Sequence, residues 1–270
     1  MAYTLRNNGR IKPPNGSRIV HRVLRMTLDG SGAASGLVSI PSPGRLIAMK
    51  YHAADGSSAL TNGALVVKAE TTAGVQIFTD ADLSSVKTTP APVGTTALDE
   101  GNAATAATDG FSGGFPVRSG VFVSVASGTE AEVLHVHMWF KLCEYVHVDL
   151  VAQSGADGTG AVTRTINFNH AGILSAIAID YQNVPNTTDI VIKADSSTGP
   201  TLYTRSNSNT DLGPTLLGSP GMDEAAAATA ATDGTECANA FSRKLYIDVA
   251  QTDIFTSGNE KIVMELWIDA

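Results

Sequence analysis

Cysteine is scarce in this chain. Cys143 and Cys237 are the only two among 270 residues, and they do not fall at matching points of the internal repeat described below. A structural disulfide is therefore not expected, and a reducing site of folding is. Long apolar runs are missing too: none approaches the ~20 residues of a membrane-spanning helix. The opening MAYTLRNNGRIKPP lacks the apolar core of a secretory signal. These absences lead us to expect a soluble protein made in the cytoplasm, with no membrane partner. The sequons at Asn15 and Asn186 are then chance matches. Aromatic residues are only 6%, little material for the clustered exposed rings of a carbohydrate-binding module. Catalytic signatures are likewise missing: no G-x-x-x-x-G-K-[ST], no strand-linked G-x-G-x-x-G, no G-x-S-x-G, no H-E-x-x-H and no paired C-x-x-C. The expectation is a chain that is not an enzyme and carries no cofactor and no metal.

Charge is sparse, at 16% of residues, and unevenly placed. The first 28 residues carry Arg6, Arg10, Lys12, Arg18, Arg22 and Arg25 with no Asp or Glu, a balance of +6. The net charge of −8 then leaves −14 for the rest. An acidic body is a poor nucleic-acid binder, so no nucleic-acid partner is expected. The basic N-terminal segment reads either as a frayed terminus or as an arm that docks on an acidic protein surface. On the second reading Arg6, Arg10 and Lys12 are interface residues.

What the chain does have is a repeat. Residues 98–110 read LDEGNAATAATDG and residues 222–234 read MDEAAAATAATDG; ten of twelve positions match between Asp99–Gly110 and Asp223–Gly234. Flanking segments recur in the same order. VHRVL (20–24) resembles VHVDL (146–150), and GRLIAMKY (44–51) resembles GILSAIAIDY (172–181). ALVVKAE (64–70) matches DIVIKAD (189–195), and VLHVHMWFKL (133–142) matches IVMELWID (262–269), with Trp139 opposite Trp267. A period of about 125 residues is far longer than a solenoid repeat and long enough for a domain with its own core. The expected organisation is an N-terminal arm over 1–17, a first domain over 18–143 and a second over 144–270.

Each unit reads as all-β. In VLHVHMWFKL one face carries Leu134, Val136, Met138, Phe140 and Leu142, and the other Val133, His135, His137, Trp139 and Lys141. Such alternation marks a half-buried strand of an antiparallel sheet. Further strands are expected at 19–28, 36–40, 46–52, 65–70, 75–79 and 120–126, then at 146–152, 162–168, 174–181, 190–195, 202–205, 244–250 and 262–269. Turn signals such as DGSGAASG, PSPG and DSSTG separate them. Seven or so short strands per unit indicate two tandem β-sandwich domains, jelly-roll-like in topology, from an internal duplication. The Ala-rich stretch sits in the longest connection of each unit, and over 223–234 its capping residues predict a short helix.

Few residues point to chemistry. His135 and His137 form an H-x-H on one strand face, a metal-ligand spacing for which His147, His21 and His52 are candidate third ligands, with nothing in the sequence that points to one of them. The alternative is a pair of surface or interface histidines, and that is the expectation taken here. Acidic turns at Asp80–Asp82 and Asp195–Gly199 lack the oxygen-ligand spacing of a calcium loop. Trp139 and Trp267, the only tryptophans, lie on the face away from the expected core. They either contact another domain or subunit or are covered by their own long loops.

The strand-turn-strand DIVIKADSSTGPTLYTR (189–205), the Ala/Thr/Gly-rich insert and the terminal hairpins FPVRSGVFVSVASGTEAEVLHVHMWFKL and KLYIDVAQTDIFTSGNEKIVMELWIDA resemble virion structural proteins of tailed bacteriophages. Within that group the chain is most similar to head decoration (cement) proteins. The resemblance implies a jelly-roll-like protein that binds the outer capsid surface and stabilises the mature head. It implies the major capsid protein as partner, a homo-oligomer (a trimer by preference), and synthesis in the host cytoplasm. A tail, neck or fibre component and a carbohydrate-binding β-sandwich module are the alternatives. The fused second domain departs from the family pattern.

Overall fold

The computed structural model describes residues 10–11, 19–54, 60–84, 87–92, 114–152, 158–184, 187–217, 239–252, 254 and 260–269. Both copies of the Ala/Thr-rich stretch, with the helix expected over 223–234, lie outside the described residues, as do Arg6, Lys12 and Cys237. The described residues are strands and turns throughout, so the chain is all-β. It divides into two compact units that meet in sequence at Cys143 and Glu144.

The first unit comprises β2 (Ile19–Thr27), β3 (Ala34–Ser39), β4 (Gly44–Ala53), β5 (Ala64–Ala69), β6 (Gln76–Asp80), β7 (Lys87–Pro92), β8 (Phe115–Val117), β9 (Gly120–Ala126) and β10 (Val133–Leu142). One sheet has the order β2-β10-β4-β7, with β8 pairing the end of β4, and the other β3-β9-β5-β6. Setting β8 aside, the eight remaining strands divide between two sheets and pair first with eighth, eighth with third, third with sixth; second with seventh, seventh with fourth, fourth with fifth. That is the jelly roll, two interlocked Greek keys. All its pairings are antiparallel.

The second unit comprises β11 (Glu144–Leu150), β12 (Gly160–Asn167), β13 (Gly172–Gln182), β14 (Thr188–Ala194), β15 (Thr201–Ser208), β16 (Leu212–Leu216), β17 (Ala240–Phe241), β18 (Lys244–Thr252) and β19 (Lys261–Asp269). Its sheets run β11-β19-β13-β16, with β17 on β13, and β12-β18-β14-β15. Term by term this is the order of the first unit. Among the described residues one strand has no counterpart: β1 (Arg10–Ile11) pairs antiparallel with Val146 and Tyr145 and adds an edge to β11. Within the span expected as an extended arm, Arg10–Ile11 is thus strand.

The alternating patterns explain why these sheets stack. In β10, Leu134, Val136, Met138, Phe140 and Leu142 are all buried and join Leu46, Met49, Tyr51, Leu65, Val67, Val121 and Val123 in one cluster fed by both sheets. In β19, Ile262, Met264, Leu266 and Ile268 meet Leu174, Ile177, Ile190, Ile192, Leu245 and Ile247. Burying such side chains is the main stabilising term, at roughly 1.5–3 kcal/mol for each large aliphatic one. Trp139 and Trp267 belong to neither cluster.

Candidate functional site: the outer face of the β2–β10–β4 sheet

Directly paired residues of antiparallel strands share a face, so the register of β10 with its neighbours fixes what stands outside the first core. His135 lies between Arg25 of β2 and His52 of β4; His137 lies between Val23 and Lys50; Trp139 lies between His21 and Ala48. Four of the chain's six histidines thereby converge on one patch. Arg25 and Lys50 border it.

The rings are in contact. The imidazole of His21 stacks on Trp139, with centroids 4.5 Å apart and planes 12° from parallel. His52 meets His135 edge-on at 5.4 Å and His137 at 5.1 Å. His137 Nδ1 is 3.1 Å from His21 Nε2, and its Nε2 is 3.0 Å from His52 Nε2. His52 Nδ1 lies 2.6 Å from the carbonyl oxygen of Ala53. A carbonyl only accepts, so this nitrogen carries the proton and, in the neutral ring, Nε2 of His52 presents a lone pair. His137 therefore donates from Nε2 to His52 and accepts at Nδ1 from His21. His135 Nε2 is buried and has no hydrogen-bond partner.

Burial and the surrounding positive charge favour neutral rings. Partial desolvation, then Lys50 and the other histidines, lowers the pKa of His137 to about 4. Desolvation, then His52 and Arg25, lowers that of His135. At neutral pH both are uncharged. The same face of β2 carries Ile19 and Val23, which are 62% and 51% exposed. Beside the stacked His21 and Trp139 they form an apolar and aromatic stripe.

The corresponding positions of the second unit differ. Trp267 lies between Tyr145 and Ala176, Glu265 between His147 and Ala178, and Val263 between Asp149 and Asp180. Where the first unit has histidines flanked by Arg25 and Lys50, the second has carboxylates. His147 sits 3.3 Å from Asp149 and 3.9 Å from Glu265, so it is paired in its own unit. Trp267 is fully buried and packs edge-on against Tyr145 at 5.2 Å.

Of the residues proposed from sequence, His135, His137 and Trp139 fall together on this face, Trp267 is buried in the second unit, and Arg10 lies in β1. The parts of His21 and His52 follow from pairings across 116 and 85 positions of sequence. An alternating strand pattern shows which face a residue occupies but not its neighbour across the sheet. The acidic turns are ordinary hydrogen-bond acceptors: Asp80 takes the Tyr51 hydroxyl and the amide of Asp82, and Asp195 takes three backbone amides, from Ser242, Arg243 and Lys244.

No protein-family description matches the chain, and no curated protein matches it in sequence. Among solved structures it is similar to the STIV MCP at 7% identity and a TM-score of 0.26, over 93% of this chain and 96% of that one. It is similar to VP54 of PBCV-1, fitted into a reconstruction of the virophage Sputnik, at 6% identity and 0.25, over 96% and 95%. Infectious bursal disease virus VP2 follows at 10% and 0.23, over 94% of this chain and 72% of that one. All three are viral capsid proteins. At scores of this size the likeness carries no argument about function.

Proposed function

We propose that this chain is a non-enzymatic virion structural protein, a decoration (cement) protein that binds the outer capsid surface of a tailed bacteriophage and stabilises the mature head. The observation that carries this reading is the stripe of Ile19, His21, Val23 and Trp139 on one sheet face, two of its members more than half exposed. Exposed apolar and aromatic residues on a flat face suit association with another protein.

Two jelly rolls of the same strand order suit a bridging role. We read them as a tandem duplication whose copies kept the strand order and diverged outside the core, histidines and an exposed stripe in the first, buried and paired carboxylates in the second. A decoration protein stabilises by mass action: it adds binding free energy to the lattice state it prefers, so that state resists disruption. The partner on this reading is the major capsid protein, the basic N-terminal segment is a docking arm, and the chain acts as a homo-oligomer, a trimer by preference, on the capsid surface after synthesis in the host cytoplasm.

The test is sedimentation of the purified chain with capsids that lack it, at rising salt. Saturable, stoichiometric co-sedimentation that raises the capsid's melting temperature is expected. No binding to capsids, with binding to isolated tails instead, would overturn the head assignment.

A further inference from the structure

We propose that His52, His135 and His137 form a binding site for a divalent transition-metal ion, Zn²⁺ above others, with His21 holding His137 in the ligating orientation. One ring nitrogen from each of the three lies within 4.8 Å of the other two.

The spacing supports coordination. Zinc–imidazole bonds of about 2.0–2.1 Å in a tetrahedron place donor nitrogens about 3.3 Å apart. His52 Nε2 and His137 Nε2 already stand at 3.0 Å, so an ion enters with a few tenths of an ångström of separation, and ring rotation of His135 closes the third side. His52 is held by a further contact: its Nδ1–H donates to the Ala53 carbonyl. Such an outer hydrogen bond fixes the tautomer and leaves Nε2 as donor to a metal. His137 needs one tautomeric change. Its proton moves from Nε2 to Nδ1 and is donated to His21 Nε2, while His21 carries its own proton on Nδ1. Each ring remains neutral and none gains or loses a proton overall.

The site also explains the buried Nε2 of His135, which has no protein partner. A buried ring nitrogen without a partner is costly, and a cation bound at its lone pair removes that cost. Three neutral nitrogen donors with no carboxylate among them suit zinc, copper or nickel, and reject calcium and magnesium, which require oxygen. Lys50 opposite His137 and Arg25 opposite His135 repel every divalent cation alike, so they lower affinity while the nitrogen donors set the selection. Three protein ligands leave a fourth position for water.

The inference stands independently of the virion reading and is tested on the full chain without a polyhistidine tag. Titration calorimetry with Zn²⁺ should show one site per chain, and Cu²⁺ should give an electron-paramagnetic spectrum split by several equivalent nitrogens. His137→Ala and His52→Ala should abolish both signals, while His170→Ala, outside the cluster, should not. His21→Ala should weaken binding about 10–100-fold, as loss of an orienting partner does, and Lys50→Gln should tighten it. Circular dichroism of each variant confirms that it is folded. No zinc binding by the folded parent, or unchanged binding in folded His52→Ala and His137→Ala, would overturn the proposal. Equal binding of Mg²⁺ would do the same.

Discussion

Glu70 and Asp195, 125 positions apart, occupy the same corner of their respective jelly rolls and do the same work there. Both have left-handed backbone, with φ of 62°, just after β5 and β14. The carboxylate of Glu70 accepts from the amides of Arg118 and Ser119, and that of Asp195 from the amides of Ser242, Arg243 and Lys244. Each ties a hairpin turn to the start of the strand beside it. Lysines two residues back, in β5 and β14, repeat the match: Lys68 Nζ donates to the Thr72 carbonyl at 2.9 Å and Lys193 Nζ to that of Ser197 at 2.8 Å.

This corner gives a prediction with a defined pH sign. Backbone hydrogen bonds, that of Arg243 first, hold the pKa of Asp195 below the usual carboxylate value. The stabilisation is therefore complete above the unfolded pKa of about 3.9 and is lost as pH falls through the lower folded value. Asp195→Asn should lower the urea midpoint at pH 7 and flatten the acid limb of the stability profile. Because the carboxylate is partly solvated, the loss at pH 7 should be about 1 kcal/mol. An unchanged acid limb would contradict the assignment.

Gly74 and Gly199 make the two hairpin turns possible. A Cβ on Gly74 would lie 1.6 Å from the carbonyl oxygen of Ala69, and one on Gly199 would lie 1.7 Å from that of Ala194. The obstacle is main chain, which cannot rotate away. Either Gly→Ala change should cost about 1–3 kcal/mol, as other forced contacts do, measured by chemical denaturation.

The two tryptophans should separate. Trp267→Ala removes a fully buried ring and should cost about 3–5 kcal/mol of stability. Trp139 is only half-buried against His21, so Trp139→Ala should cost much less in the melting temperature and more in capsid association. The reverse order in thermal melts would contradict their placement.

His137 gives a second pH signature. Its folded pKa of about 4 lies below the unfolded value of about 6.5, so the unfolded chain binds more protons between those values. Stability should fall as pH drops from about 6.5 towards 4. His137→Gln should reduce that slope, leaving the part due to His135, whose pKa is also lowered, read from urea midpoints across the window with zinc excluded by chelator.

Much of this architecture was legible from alternation alone. The β10 pattern from Val133 to Leu142 specified its core face residue by residue, and β2, β5, β9 and β14 followed the same rule, whereas β13 and β19 are buried on both faces. The strands that escaped notice are short or contain proline. Lys87–Pro92 and Leu212–Leu216 carry Pro90, Pro92 and Pro214, which read as loop, yet both are edge strands, where a missing amide donor is tolerated. Register was not legible. VHRVL and VHVDL look alike, but His21 faces Trp139 while Tyr145, not His147, faces Trp267, so the local likeness runs two residues out of step with the sheet. The candidate site depends on that cross-strand register: the H-x-H pair was visible in the sequence, with His21, His52 and His147 as candidate partners, but not that His21 and His52 are the ones that join it.

The central claim, that this polypeptide is built to be part of a virus particle, is tested most directly by immunogold electron microscopy of the parent particle with antibody against this chain. Gold at regular positions over the outer head surface is the expected result. Intact particles free of label, with the chain found only in the soluble fraction of the infected cell, would contradict it.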